Sequence, residues 1–147
     1  MKKNILKYLS VLAAVLLVSS CEWDPPTFDS ADSFIAYSNS SSSVAEEGGM
    51  VGIPVLVTAP LDAASVSVDF AFNTDASTAV EGTNFTLVNE SQTLTMSSGW
   101  GYDTIWIQPI DNDIFTGNLK VVIDLTSNSK EYPFGVVSTH TLTIIDD

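Results

Sequence analysis

Ser65-Val66-Ser67-Val68-Asp69-Phe70-Ala71-Phe72-Asn73 places an apolar residue at every second position. Successive side chains of an extended chain point to opposite faces. Val66, Val68, Phe70 and Phe72 therefore share one face, and Ser67, Asp69 and Ala71 take the other. A helix would scatter the same residues around its circumference. The stretch reads as a strand with one buried face.

The period of two recurs on both sides of it. Met50–Thr58 aligns Val51, Ile53, Val55 and Val57, and Asn118–Ser127 aligns Leu119, Val121, Ile123 and Leu125. Val137–Ile145 sets His140, Leu142 and Ile144 against Thr139, Thr141 and Thr143. Shorter candidates are Phe34–Tyr37, Asn84–Val88, Gln92–Met96 and Tyr102–Ile110. Turn chemistry separates these runs: Glu47-Gly48-Gly49, Ala59-Pro60, Glu81-Gly82-Thr83, Ser97-Ser98-Gly99 and Asp111-Asn112-Asp113. Strands with one apolar face each must bury it against a second layer, which predicts an all-β, antiparallel β-sandwich of seven to eight strands. Pro54 cannot donate to a ladder, so its strand is expected at an edge or at a bulge. Tyr132 and Phe134, flanking Pro133, are read as a contact patch or a loop plug.

The N-terminus has a different character. Met1-Lys2-Lys3-Asn4-Ile5-Leu6-Lys7 is basic, Tyr8–Val18 is apolar, and Ser19-Ser20-Cys21 follows. That is the layout of a secretory signal, and the apolar run is shorter than the ~20 residues a membrane span needs. Leu17-Val18-Ser19-Ser20-Cys21 resembles the lipobox of bacterial lipoproteins, which implies cleavage before Cys21 and lipid on its thiol. The lone cysteine of the chain stands at that position, which leaves no internal disulfide and no cysteine metal site. The expected organisation is a signal peptide over 1–20, a lipidated cysteine with an acidic, Pro25-Pro26-stiffened stalk over 21–32, and one domain over 33–147. Acids directly after the cysteine resemble a surface-export signal, so the expected location is the outer membrane, at the cell surface or facing the periplasm.

Cleavage would leave Lys120 and Lys130 as the only cations against 18 acids, a net charge of −16. Such a body is repelled by nucleic acid and by anionic membrane. Its expected contacts are the membrane through the lipid, and a surface protein or a polysaccharide.

Four motifs in register resemble the Calx-beta family: Val44-Ala45-Glu46-Glu47-Gly48-Gly49, Thr78-Ala79-Val80-Glu81-Gly82-Thr83-Asn84-Phe85, Ile110-Asp111-Asn112-Asp113-Ile114-Phe115 and Thr143-Ile144-Ile145-Asp146-Asp147. The resemblance implies an immunoglobulin-like sandwich. In calcium-binding members, acids from several loops gather at one end. Carried over, the ligands would be Glu46, Asn84, Asp111, Asn112, the carbonyl of Ile114, Thr116, Asp146 and Asp147, at the pole away from Cys21. Calcium takes six to eight oxygen ligands, and ligand charge tunes its affinity. Asn84, Asn112 and Thr116 stand where the family often has acids, so the resemblance implies weak calcium binding.

No nucleophile–base–acid set stands out. His140 is the sole histidine, there is no thiol besides Cys21, and no glycine-rich phosphate loop is present. The chain is read as non-enzymatic. Trp100, Tyr102 and Trp106 fall on one face of a single strand, a row that could stack on sugar rings. Two functions follow: a Calx-beta-like interaction or assembly module, and a glycan-binding accessory lipoprotein of a polysaccharide-uptake system.

Overall fold

The computed structural model describes residues 29–60, 63–97, 100–111 and 114–146, Ser30 and Trp100 by backbone alone. The expected signal peptide, Cys21 and most of the stalk, together with Asn112 and Asp147, lie outside the described residues. A 3₁₀ turn at Ser30–Asp32 precedes nine strands: β1 (Phe34–Tyr37), β2 (Ser41–Ala45), β3 (Val51–Thr58), β4 (Val66–Phe72), β5 (Phe85–Leu87), β6 (Thr93–Met96), β7 (Trp100–Pro109), β8 (Leu119–Asn128) and β9 (Thr139–Ile145). They form a four-stranded sheet, β1-β3-β7-β5, and a five-stranded sheet, β2-β9-β8-β4-β6. The inward positions named by the period of two are the core. Ile53, Val55 and Val57 of one sheet, with Ile105 and Ile107, are buried, as are Val66, Val68, Phe70, Val121, Ile123, Leu142 and Ile144 of the other. Each such side chain contributes roughly 1.5–3 kcal/mol of burial. Phe70, Phe72 and Phe85 add an edge-to-face chain, with centroids 6.2 and 5.0 Å apart.

Three expectations need correction. Nine strands stand among the described residues, because Ser41–Ala45 forms β2. This serine-rich run has no large apolar face, and it lies at a sheet edge where little packing is asked of it. β2 also pairs with β9 in parallel, Ser41 opposite Thr141 through Ala45 opposite Ile145, so the sandwich is not wholly antiparallel. Finally, β3 lies inside its sheet, between β1 and β7. Pro54 is accommodated because β1 pairs only with Val55–Thr58. The Pro54 carbonyl accepts the Ser38 N–H at 3.1 Å, so the proline nitrogen faces the same flank, past the end of β1. The ladder to β7 loses nothing, and the first half of β3 is locally an edge.

The first strand of the sandwich is thus split, β1 serving one sheet and β2 the other. The outer side of β1 is covered by the segment 133–137: Ile35 N–H reaches Pro133 O at 3.1 Å, and Gly135 N–H reaches Ile35 O at 2.8 Å. The Asn128 side chain pins Tyr132 through both its N–H and its carbonyl, at 2.9 Å each. Of the two readings for Tyr132 and Phe134, the plug is the one observed.

Strand directions define two poles. β1 begins at the near pole, together with the end of β3 and the starts of β4 and β7. The far pole gathers the 46–50 and 73–84 connections, residues 110–111 and 114–118, and the end of β9.

Candidate functional site

Glu46, Asn84, Asp111, Ile114, Thr116 and Asp146 all fall at the far pole, opposite the end where β1 begins. Glu46 follows β2, and its N–H bonds Ile145 O at 2.8 Å, which brings it beside Asp146. Glu46 is only 5% exposed, and its carboxyl hydrogen-bonds that of Asp146. Asp146 reaches across to the loop between β7 and β8. Its Oδ2 accepts the N–H and hydroxyl of Thr116, and the N–H of Gly117 at 2.6 Å. Gly117 takes φ +76°, a left-handed conformation that turns its N–H inward with that of Thr116. Partial desolvation pushes the Asp146 carboxyl up, but the donors of Thr116 and Gly117, with Glu46, outweigh it and hold the group below its ordinary range.

Asn84 is similarly engaged. Its Oδ1 accepts the Val80 N–H at 2.9 Å, its own N–H bonds Val80 O, and its carbonyl accepts the Ile110 N–H. The Glu81-Gly82-Thr83-Asn84 motif is therefore a closed turn, with Gly82 at φ +79°. Among the described residues no three of His, Cys, Asp or Glu stand together as a metal would require. Calcium needs six or more oxygens free to turn toward it, whereas the oxygens of Asn84 and Asp146 already serve N–H donors of their own chain. Of the expected ligands, Asn112 and Asp147 lie outside the described residues.

Tyr102 and Trp106 of the aromatic row lie elsewhere, on the outer face of the four-stranded sheet. Opposing pairs across β3 and β7 are Gly52 with Trp106, Pro54 with Thr104, Leu56 with Tyr102 and Thr58 with Trp100. Their neighbours Ile53, Val55 and Val57 fill the core, so Gly52, Pro54, Leu56, Tyr102, Thr104 and Trp106 lie on the solvent side. Tyr102 is 75% exposed and Trp106 40%. The six-membered ring of Trp106 fills the space directly above Gly52, where a Cβ would lie 2.8 and 2.9 Å from two ring carbons. β5 ends at Leu87, and Asn89 carries its pairing onward: its Oδ1 accepts the Trp106 N–H at 2.7 Å and its Nδ2 donates to Thr104 O at 3.0 Å. Beside Tyr102 a groove of about 580 Å³ is lined by Ser38, Pro54, Leu56 and Thr58, among others. Leu56 and Pro54 belong to the alternation that named the core. Being on its far side, they were not marked as a surface by the sequence.

One contact was missed in the sequence altogether. His140 is buried, 2% exposed, where the chain passes from β1 to β2. Its Nδ1 lies 2.7 Å from Asn39 O and its Nε2 2.8 Å from Ser42 Oγ, and the ring tilts against Tyr37 at 5.5 Å. Against a carbonyl Nδ1 must carry the proton, so Nε2 accepts from the Ser42 hydroxyl. Burial pushes the imidazole below its ordinary value, although the Asn39 carbonyl opposes this. A serine–histidine contact held by a neutral carbonyl lacks the carboxylate that stabilises an imidazolium. It works as a tie across the strand switch. No spacing could have announced a contact between residues 98 positions apart.

No protein-family model matches this sequence, and neither does any curated protein. Solved structures do match. The apo-form Calx CBD1 domain superposes with a TM-score of 0.67 at 23% identity, over 78% of this chain and 97% of that one. The fold is Calx-beta-like. The calcium binding domain CBD12 of CALX1.1 follows with a TM-score of 0.65 at 23% identity, over 77% of this chain and 44% of that longer one. The periplasmic chaperone SfaE gives 0.55 at 14% identity, over 77% and 57% of the two chains. These neighbours carry the names of calcium-binding and chaperone domains, and what this chain shares with them is the sandwich fold.

Proposed function

We propose that this chain is a lipid-anchored, surface-displayed lipoprotein of the outer membrane. Its single Calx-beta-like sandwich, residues 33–147, is a non-enzymatic interaction module on a stalk over residues 21–32. The observation that carries the contact surface is the pair Tyr102 and Trp106, two large aromatics held on the solvent side of a rigid sheet rather than in the core. The anchor rests on the lipobox resemblance at Leu17–Cys21. The sandwich begins at the near pole, so a stalk leading into β1 would turn the far pole outward and leave the aromatic face open along its side.

The anchor is tested by partitioning the full chain between detergent and aqueous phases. Wild type is expected in the detergent phase with incorporated fatty acid, and Cys21→Ser in the aqueous phase without it. Fatty-acid-free protein that stays in the detergent phase would overturn the anchor. Protease added to intact cells tests display: digestion is expected, and protection until the outer membrane is broken would reverse the orientation.

A further inference from the structure

We infer that the outer face of the four-stranded sheet is a binding platform for a neutral polysaccharide, whose pyranose rings stack on Trp106 and Tyr102. The inference rests on the contact-face reading above and names its ligand. Stacking on a sugar asks for an aromatic ring with one side fixed and the other open. Trp106 meets this because residue 52 is glycine: its ring lies down on the strand, where any Cβ would lift it. The backbone beneath is fixed by Asn89, which replaces the neighbouring strand at Thr104 and Trp106. A ligand finds this surface already formed, so little ordering entropy is lost on binding.

Tyr102 stands four residues away on the same face, about 13 Å along the strand. That separation suits an oligosaccharide segment rather than a single sugar. Between the two rings, and along the groove beside Tyr102, the described residues offer hydroxyls. Thr104 lies between them, and Ser38 and Thr58 line the groove with Pro54 and Leu56. Among the described residues, none that lines the groove is charged. A ligand for this surface has apolar faces and hydroxyl edges and needs no ion pair, which describes a neutral pyranose chain.

Charge separates this occupant from its competitors. The mature body would carry −16, and its two lysines, Lys120 on β8 and Lys130 just after it, belong to the other sheet. Acidic polysaccharides are repelled. A second copy of the chain would bring another −16 against the first, which opposes closing the two faces together.

Affinity electrophoresis of the intact mature chain, with Cys21→Ser to keep it soluble, tests the inference. The probes are xyloglucan, galactomannan, amylopectin and mixed-linkage glucan as neutral polymers, with polygalacturonate as the acidic one. Retardation is expected on at least one neutral polymer and not on polygalacturonate. Trp106→Ala and Tyr102→Ala are expected to lose it, whereas Phe115→Ala at the far pole keeps it. Melting curves confirm that the variants fold, and Tyr102, being largely exposed, keeps the test usable if Trp106→Ala is unstable. Free migration on every neutral gel, or equal retardation of wild type and both variants, overturns the polysaccharide. Sedimentation then separates the two ideas. A wild-type dimer that Trp106→Ala dissolves would keep the contact face and replace its occupant, while a monomer with no ligand would remove the contact face as well.

Discussion

At the far pole, polar side chains are turned onto the protein itself; on the outer face of the four-stranded sheet, apolar ones are turned onto the solvent. Asp146 spends its Oδ2 on Thr116 and Gly117, and Asn84 closes the turn that begins at Val80. Tyr102 and Trp106 do the reverse, at an energetic cost that burial in the core would have avoided. The difference teaches where the two kinds of signal belong. The motifs that mark the fold family are the ones that shape the loops of this chain. The residues offered to a ligand belong to none of those motifs.

The largest expected effect comes from forcing Trp106 off the sheet without touching it. Gly52→Val places carbon where the ring now lies, and it should remove polysaccharide retardation completely. Because the ring can lift into solvent, the stability cost should stay near the low end of the about 1–3 kcal/mol typical of overpacking. A melting temperature lowered only slightly, with retardation lost, sharpens the contrast between face and pole. Retardation at the wild-type level would break it.

A second effect belongs to neither region and serves as a control for global stability. The His140 imidazole is held below its ordinary value of 6.5, first by burial. The unfolded chain then binds that proton more readily than the folded one, and stability falls as acid is added. Its contribution should be full above about pH 6.5 and decline below it, read as a falling melting temperature from pH 7 to pH 5. His140→Asn should flatten that slope and lower the plateau, since a buried partner is lost to both Ser42 and Asn39. An unchanged slope would remove His140 from the account. Asp69, held low by the hydroxyls of Ser127 and Thr93, acts in a separate window, losing its contribution as pH falls below 3.8.

Smaller still is the effect of Asp146→Asn. It should speed hydrogen exchange at the Thr116 and Gly117 amides and leave polysaccharide retardation unaltered. Slow exchange at both amides in the variant would show that the loop does not depend on this carboxylate. The smallest expected effect is that of calcium. At millimolar concentration it should leave the melting temperature where EDTA leaves it, because the Asp146 carboxylate already accepts hydrogen bonds from the donors of its own loop. A rise that Asp146→Asn abolishes would make the far pole a metal site.

Much of the fold was legible because period two is a direct consequence of strand geometry. Val66, Val68 and Phe70 could face the core in no other regular structure. β2 was not legible, since a run of serines at an edge carries no apolar face to read, and its parallel partner is set by the strand switch after Tyr37. The far-pole residues were legible as a group through the family resemblance. Their engagement with N–H donors depends on Gly117 and on Asp146 crossing to another loop, which no spacing records. The aromatic row was visible as a row, but whether it faced core or solvent depended on the register of β7 against β3, fixed only when Gly52 met Trp106.

Hydroxyl-radical footprinting of the soluble mature chain, with and without the neutral polysaccharide that retards it, sets the two regions directly against each other. Tyr102 and Trp106 report on the sheet face, and Met50 and Phe115, both well exposed, report on the far pole. Protection of Tyr102 and Trp106 with unchanged oxidation of Met50 and Phe115 is the predicted result. Protection of Met50 and Phe115, with Tyr102 and Trp106 oxidised as before, would contradict the account.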